Sequence, residues 1–415
     1  MGYDWEQEQA YAYWMENVCG LGRKSRWELT EAAGSPKAVY EMSAEEWQAF
    51  LPEKKAEALK KAREEWTAEV IEERYRKLGE GGIRYLSNLH PDYPQRLKKI
   101  PDPPFGIFLR GQLPPEEQPA VAVIGARECS EYGRYMAGKV AEGLAEKGIA
   151  VISGMARGID GISQWAALQA GGRSYAVLGS GVDVCYPEEN RTLYETLKTK
   201  GGILSEYLPR TEPKAGLFPM RNRIISGLSD LVLIVEAREK SGTLITADMA
   251  LEQGREVYVV PGRLTDSLSR GCNRLIKQGA GILVSVEEML EETGMPPSSG
   301  RKQQPDRKQQ PDRKQQPDRK QQPDRKQQPD RNHQPDKKQQ PSKQQQPDSQ
   351  CGKGNAQKAG IYRYLDYYPK STEQLRKESG MEYREIICEL TELCMEDKAK
   401  QVSPGQYAKK ERRES

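Results

Sequence analysis

Between residues 120 and 293, short unbroken apolar runs alternate with longer amphipathic stretches. The runs are AVAVIG, IAVIS, SYAVLG, GILSE, DLVLIVEA, EVYVVPG and AGILVS, separated by segments of helical length. Unbroken rather than alternating apolarity predicts strands covered on both faces, and the β-α-β rhythm with glycine-rich joints predicts a doubly wound, mostly parallel α/β sheet. Ligands of such sheets collect at the carboxyl ends of the strands, where the glycine and arginine motifs of this chain fall.

The flanks follow other patterns. Residues 1–78 carry helical periodicity with little strand signal and read as a helical domain of SAM or helix-hairpin-helix type. Within it, the run VCGLGRKS at 18–25 resembles such a hairpin: Gly20 and Gly22 would let amides approach a phosphate beside Arg23 and Lys24. A plain turn between two helices fits the same residues. Residues 356–410 predict a helix over 357–368, a cap at Ser371/Thr372, a second helix to Ser379, a third from Glu382, and a hairpin over 401–407 around Pro404 and Gly405. That order suggests a winged helix. Its third helix carries Glu382, Glu385, Glu389, Glu392, Glu396 and Asp397 against Arg384, a net of −5 that opposes phosphate contact. The module is therefore expected to contact protein or simply to pack.

Between the core (79–295) and this module lies a linker, 296–355. Residues 301–348 are a hexad repeat built on RKQQPD without a single hydrophobic residue. A proline in every hexad removes backbone donors and nothing apolar offsets ordering entropy, so an extended, solvated tether is expected.

Composition changes the picture only after this segment is set aside. The chain of 415 residues has 64 Lys+Arg against 61 Asp+Glu and 36% hydrophobic residues. The tether contributes +7 of the overall +3, leaving −4 elsewhere, and the remaining residues are about 41% hydrophobic, enough for a core. Global charge thus says little about nucleic acid. Seven scattered cysteines without a C-x-x-C fit neither a disulfide framework nor a zinc site. Two histidines, His90 and His333, supply metal clusters and nucleophile activation poorly, so no cofactor, metal or catalytic residue is expected. The first residues lack an apolar signal segment, Glu6 stands where a myristoylation signal needs Ser or Thr, and no apolar run approaches membrane-spanning length. A cytoplasmic protein without membrane contact is the expectation.

Four glycine-rich joints carry the candidate chemistry: Gly125 to Ser130 with Arg127, Gly154 to Asp160 with Arg157 and Gly158, Leu178 to Asp183, and Ser241-Gly242-Thr243. Glycine at a strand end lets phosphates reach main-chain amides, and arginine adds a charged fork. Neither a Walker loop nor a G-x-G-x-x-G fingerprint is present. One such joint alone is an ordinary tight turn; four together point to a phosphate-binding crevice. The segment KAGLFPMRNR adds Lys214, Phe218, Arg221, Asn222 and Arg223. Cations beside one aromatic suit single-stranded nucleic acid, with charge along the backbone and a ring under an unpaired base. The same residues also allow Phe218 in the core and both arginines in structural bonds. An anion bound at the helix start is expected for the arginines, because two cations there oppose the helix dipole.

Seven motifs in order, VIGAR..S.YG, SGMARGID, AVLGSGVD.CYP..N, GGILSEY, FPMRNRIISGLS, VEA...SGTLITA..AL.QGR.V..VPG and G.N.LI..GA, resemble the DNA-processing protein DprA (Smf) family over residues 85–285. The resemblance implies a Rossmann-like core that binds and protects single-stranded DNA in natural transformation, loads the RecA recombinase, forms homodimers and is not an enzyme. It points to the Arg127 joint, the Gly154/Arg157/Gly158 loop, Lys214, Phe218, Arg221 and Arg223 as the DNA pocket. Two features depart from the family pattern: Gln164 where a histidine is common, and the hexad repeat. The alternative is a nucleotide-acting phosphoribohydrolase on a related sheet, whose signature P-G-G-x-G-T-x-E-E would place acids where this chain has Ile245 and Thr246.

Overall fold

The computed structural model describes residues 4–295, 360–366, 369–396 and 398–410. The hexad repeat, the linker on either side of it, Asp397 and much of the expected helix over 357–368 lie outside the described residues. The described residues belong to one compact unit.

Among the described residues, six helices precede the first strand: α1 (Trp5–Asn17), α2 (Arg23–Ala33), α3 (Pro36–Glu41), α4 (Ala44–Phe50), α5 (Glu53–Glu65) and α6 (Ala68–Glu80). Trp14, Trp47, Leu29 and Leu59 are fully buried among them. Gly20, with φ +79°, turns the chain between α1 and α2. The phosphate-approach reading of this turn needs correcting: Arg23 pairs with Asp102, and Glu206 lies 3.9 Å from its guanidinium, so the charge is met inside the protein.

The core runs β1 (Arg84–Ser87), α7 (Gln95–Lys98), β2 (Gly106–Gly111), β3 (Ala120–Ile124), α8 (Glu131–Glu146), β4 (Ala150–Ser153), α9 (Ile159–Gln169), β5 (Ser174–Val177), α10 (Arg191–Lys200), β6 (Gly202–Ser205), α11 (Leu217–Leu228), β7 (Leu231–Ile234), α12 (Gly242–Glu252), β8 (Glu256–Val259), α13 (Arg270–Lys277), β9 (Gly281–Ile282) and α14 (Val286–Glu292). The seven apolar runs are the seven strands β3 to β9, all parallel to their neighbours among themselves. The sheet order is β1-β2-β6-β5-β4-β3-β7-β8-β9, a Rossmann-like doubly wound arrangement that reverses between β3 and β7. Strands β1 and β2 add an antiparallel edge that local apolarity did not announce.

Both faces are covered, which is why the runs are unbroken. In β3, Val121 and Val123 pack with Val140 and Leu144 of α8, while Ala122 and Ile124 pack with Ile224 and Leu228 of α11. The N-terminal helices reach the antiparallel edge: Tyr85 and Phe108 share their apolar cluster, and Gln9 exchanges two hydrogen bonds with Ser87 at 2.6 and 2.8 Å.

After the linker come a 3-10 turn over Ile361–Arg363, where an α-helix was expected, then β10 (Lys370–Ser371), α15 (Thr372–Ser379), α16 (Tyr383–Met395), β11 (Ala399–Ser403) and β12 (Gln406–Lys409). Ser371 and Gln374 close a capping box on α15. The acidic third helix, α16, is laid on the core: Ile387 packs with Met220, Ile245 and Met249 from α11 and α12. The Cys388 thiol donates to the Gly216 carbonyl at 3.2 Å, and the Arg384 guanidinium lies 5.5 Å from the Tyr207 ring. Among the described residues, no helix is long and apolar enough to cross a membrane.

Candidate nucleic-acid interface

The reversal between β3 and β7 is where a doubly wound sheet ordinarily receives its ligand. Here the protein's own carboxylate fills it. Glu236, just past β7 and 1% exposed, accepts from the Ser130 amide at 2.9 Å and from the Ser130 hydroxyl, at the N-terminus of α8. Ser130 also caps the helix by accepting from the Gly133 amide.

The glycines serve close approach of protein groups rather than an open cradle. A Cβ at Gly125 would meet Ile159 Cγ1 at 2.7 Å, and one at Gly154 would run into the Arg221 guanidinium. Gly158, at φ +70°, passes under the Ala126 and Arg127 carbonyls. The Gly154 amide donates to Asp160 Oδ2 at 3.1 Å. Phosphate contact with the amide of Gly154 is thereby corrected: Asp160 already occupies it. Burial raises the Asp160 pKa, against the pull of Arg221 and the amide bonds.

Arg221 and Arg223 belong to the interior. Arg221 is 4% exposed and donates to the carbonyls of Gly154, at 2.9 Å, and Val177; burial pushes its pKa down to about 10. Its Nε donates to Asn222 Oδ1 at 3.2 Å. Arg223 is 1% exposed and forks onto Glu206 at 2.6 and 2.7 Å, with Asp102 at 3.0 Å from its Nε. Burial alone would raise the Glu206 pKa; the guanidinium of Arg223 and its paired hydrogen bonds override that and hold it at about 2. The expectation that these two arginines present charge to a ligand is corrected by burial and by these partners. The helix dipole is opposed by cations whose counter-charge comes from within the chain.

Three of the cations expected from the sequence remain at the surface. Arg127 is exposed, and its guanidinium carbon stands 5.2 Å from the half-buried Phe218 ring. Lys214 is exposed on the approach to α11. Arg157, also exposed, is bidentate with Glu189, at 2.6 Å through Nη2. An exposed pair of this sort contributes little, so Arg157 can exchange its partner cheaply. Ser241, Gly242 and Thr243 follow β7 at the start of α12: Ser241 caps that helix through the Thr243 amide at 3.2 Å, and Gly242 faces open space.

Several contributors were not visible in the sequence. Asp102 had no motif, and Glu206 stood in the GGILSEY run without being marked as a partner for Arg223; Tyr186, whose ring lies 5.7 Å from that of Phe218, stood inside a C-Y-P run with only its aromatic side chain as a signal. Gln164 is fully buried, accepting from the Met155 amide and donating to the Tyr175 carbonyl at 3.0 Å each, and so splints β4 to β5.

A family model described as DNA recombination-mediator protein A matches residues 84–294, half of the chain. The chain belongs to that family. The DNA recombination-mediator protein A region is similar to the DNA processing protein DprA of Streptococcus pneumoniae, 44% identical over 207 residues that cover 50% of this chain and 73% of the relative. Protein Smf of Escherichia coli is 46% identical over 200 residues, 48% of this chain and 54% of that protein. The X-ray structure of the S. pneumoniae protein aligns with a TM-score of 0.61 at 33% identity, covering 68% of this chain and 97% of the other. Membership of the recombination-mediator family gives the chain a DNA-processing role in recombination.

Proposed function

We propose that this chain binds single-stranded DNA at the strand ends around Phe218, protects it, and loads RecA recombinase onto it as a cytoplasmic homodimer, without catalysis. The observation that supports the DNA site is the exposed Arg127 stacked 5.2 Å from Phe218, with Lys214 exposed four positions before that ring in the chain. Cations track the phosphates and the aromatic surface takes an unpaired base, a combination indifferent to sequence. Two such sites in a dimer would engage one strand together. The phosphoribohydrolase alternative gains no acid from the structure: Ile245 and Thr246 are buried in α12, and Glu236 is held by Ser130.

The test is a salt-titrated comparison of single- and double-stranded DNA binding by the full chain and by Arg127→Ala/Lys214→Ala. Preference for the single strand, lost in the double variant, is the expected result. Equal affinity of both proteins would remove the site assignment. RecA loading is read separately, as stimulated filament formation on a strand pre-coated with a single-strand-binding protein.

A further inference from the structure

The geometry assigns to Tyr186 the open stacking surface of this site, and the ligand is an unpaired base laid on its outer face. Phe218 is poorly placed to offer a free face of its own. It lies against Gly179, where even a Cβ would come within 2.8 Å of its Cδ1, and Arg127 stands over the ring. Tyr186 is 45% exposed, and the two rings are inclined by 32° at 5.7 Å, within the range of a favourable aromatic pair. Phe218 thus acts as the backing ring, packed against Tyr186 and covered by Arg127.

An isolated exposed aromatic needs no explanation. This one continues an array of cation, ring and ring, and the loop that carries it is braced. The Asn190 amide donates to the Met155 and Ala156 carbonyls at 2.9 and 3.2 Å, which ties the loop to the Gly154 joint. The Tyr194 hydroxyl donates to the Val182 carbonyl at 2.7 Å on the other flank. A ring held in place before the ligand arrives loses little freedom on binding. Arg157 lies in that same joint and is exposed, so a strand on Tyr186 has a second exposed arginine on the braced loops besides Arg127.

This inference rests on the single-stranded DNA reading, and the experiment separates the two. Affinity of the full chain for a fluorescein-labelled thymidine homo-oligomer is measured by anisotropy for wild type, Tyr186→Phe, Tyr186→Leu, Tyr186→Ala and the exposed control Tyr135→Ala. Loss of one stacked base predicts a drop of about 5- to 150-fold in Tyr186→Ala and a similar one in Tyr186→Leu, while Tyr186→Phe and the control bind as wild type. Irradiation of a strand carrying 5-bromodeoxyuridine is expected to cross-link at Tyr186. Wild-type affinity in Tyr186→Leu, or cross-linking confined to other residues while Arg127→Ala still weakens binding, overturns the role of Tyr186 and leaves the function standing. Failure of the wild-type chain to bind the oligomer overturns both.

Discussion

Glu236 sits on the N-terminus of α8 with its carboxylate on the amide and hydroxyl of Ser130, at the point where the sheet reverses direction. An acid there satisfies orphan helix amides and the positive end of the helix dipole at once. The site that a nucleotide phosphate takes in many doubly wound proteins is thereby closed, and the exposed Arg127 lies instead over Phe218.

Removing that carboxylate strands both Ser130 donors. Glu236→Ala is expected to lose about 1.5–3 kcal/mol of stability, read from urea unfolding midpoints, and Glu236→Gln less because it keeps one acceptor. Gly133→Ala should act in the same direction, since a Cβ there collides with the Glu236 carboxylate.

The buried set of Arg223, Glu206, Asp102 and Arg23 makes stability sensitive to acid. The Glu206 pKa of about 2 lies below the roughly 4.3 of an unfolded glutamate, so the fold prefers its ionised form. That support is complete above the unfolded value and is lost as pH falls toward about 2. Unfolding midpoints measured across this window should fall in the wild type and show a shallower dependence in Glu206→Gln. At neutral pH, Glu206→Ala leaves the Arg223 cation buried without its main partner, at a cost of about 3–5 kcal/mol.

A different variant set separates DNA contact from folding. Arg127→Ala and Lys214→Ala should keep the wild-type unfolding midpoint and lower single-strand affinity, each flattening the log–log salt slope by about 0.7 if it removes one phosphate contact. Arg221→Ala and Arg223→Ala should show the reverse emphasis, with stability lost first. Parallel binding and unfolding curves for the four variants check this division.

The seat of α16 on α12 is expected to loosen as pH rises. Asp248 is 6% exposed, and its pKa is well above the ordinary carboxylate value, first through burial and then through Glu252; Arg274 and the Gly405 amide oppose the shift. Tyr383, Tyr407 and Cys394 face the same space. A folded pKa above the unfolded one means that Asp248 supports the fold below its unfolded value and that this support is lost as pH rises through the folded value. Asp248→Asn should therefore flatten the pH dependence of amide-exchange protection in α12 and α16. Ile387→Ala, which empties part of the Met220–Ile245–Met249 cluster, should lower that protection at every pH, by about 2–4 kcal/mol.

The seven parallel strands were legible in the chain because a strand covered on both faces must be apolar at consecutive positions, a purely local requirement. The cap of α15 and the start of the acidic α16 followed from equally local chemistry. The glycine-rich joints were legible as joints, though their purpose was not. Gly154 makes room for a guanidinium 67 positions further along the chain, and Gly125 for a helix side chain 34 positions away.

By itself, then, the sequence determined the α/β core, the family resemblance, and the separation of a charged hexad repeat from the rest. Only the tertiary structure decided which charges are available to a ligand. Arg223 meets Asp102 across 121 residues and Ser130 meets Glu236 across 106. Such pairs leave no periodic trace, because ion pairing depends on distance in space and on exclusion of water, and the order of strands in the sheet sets both.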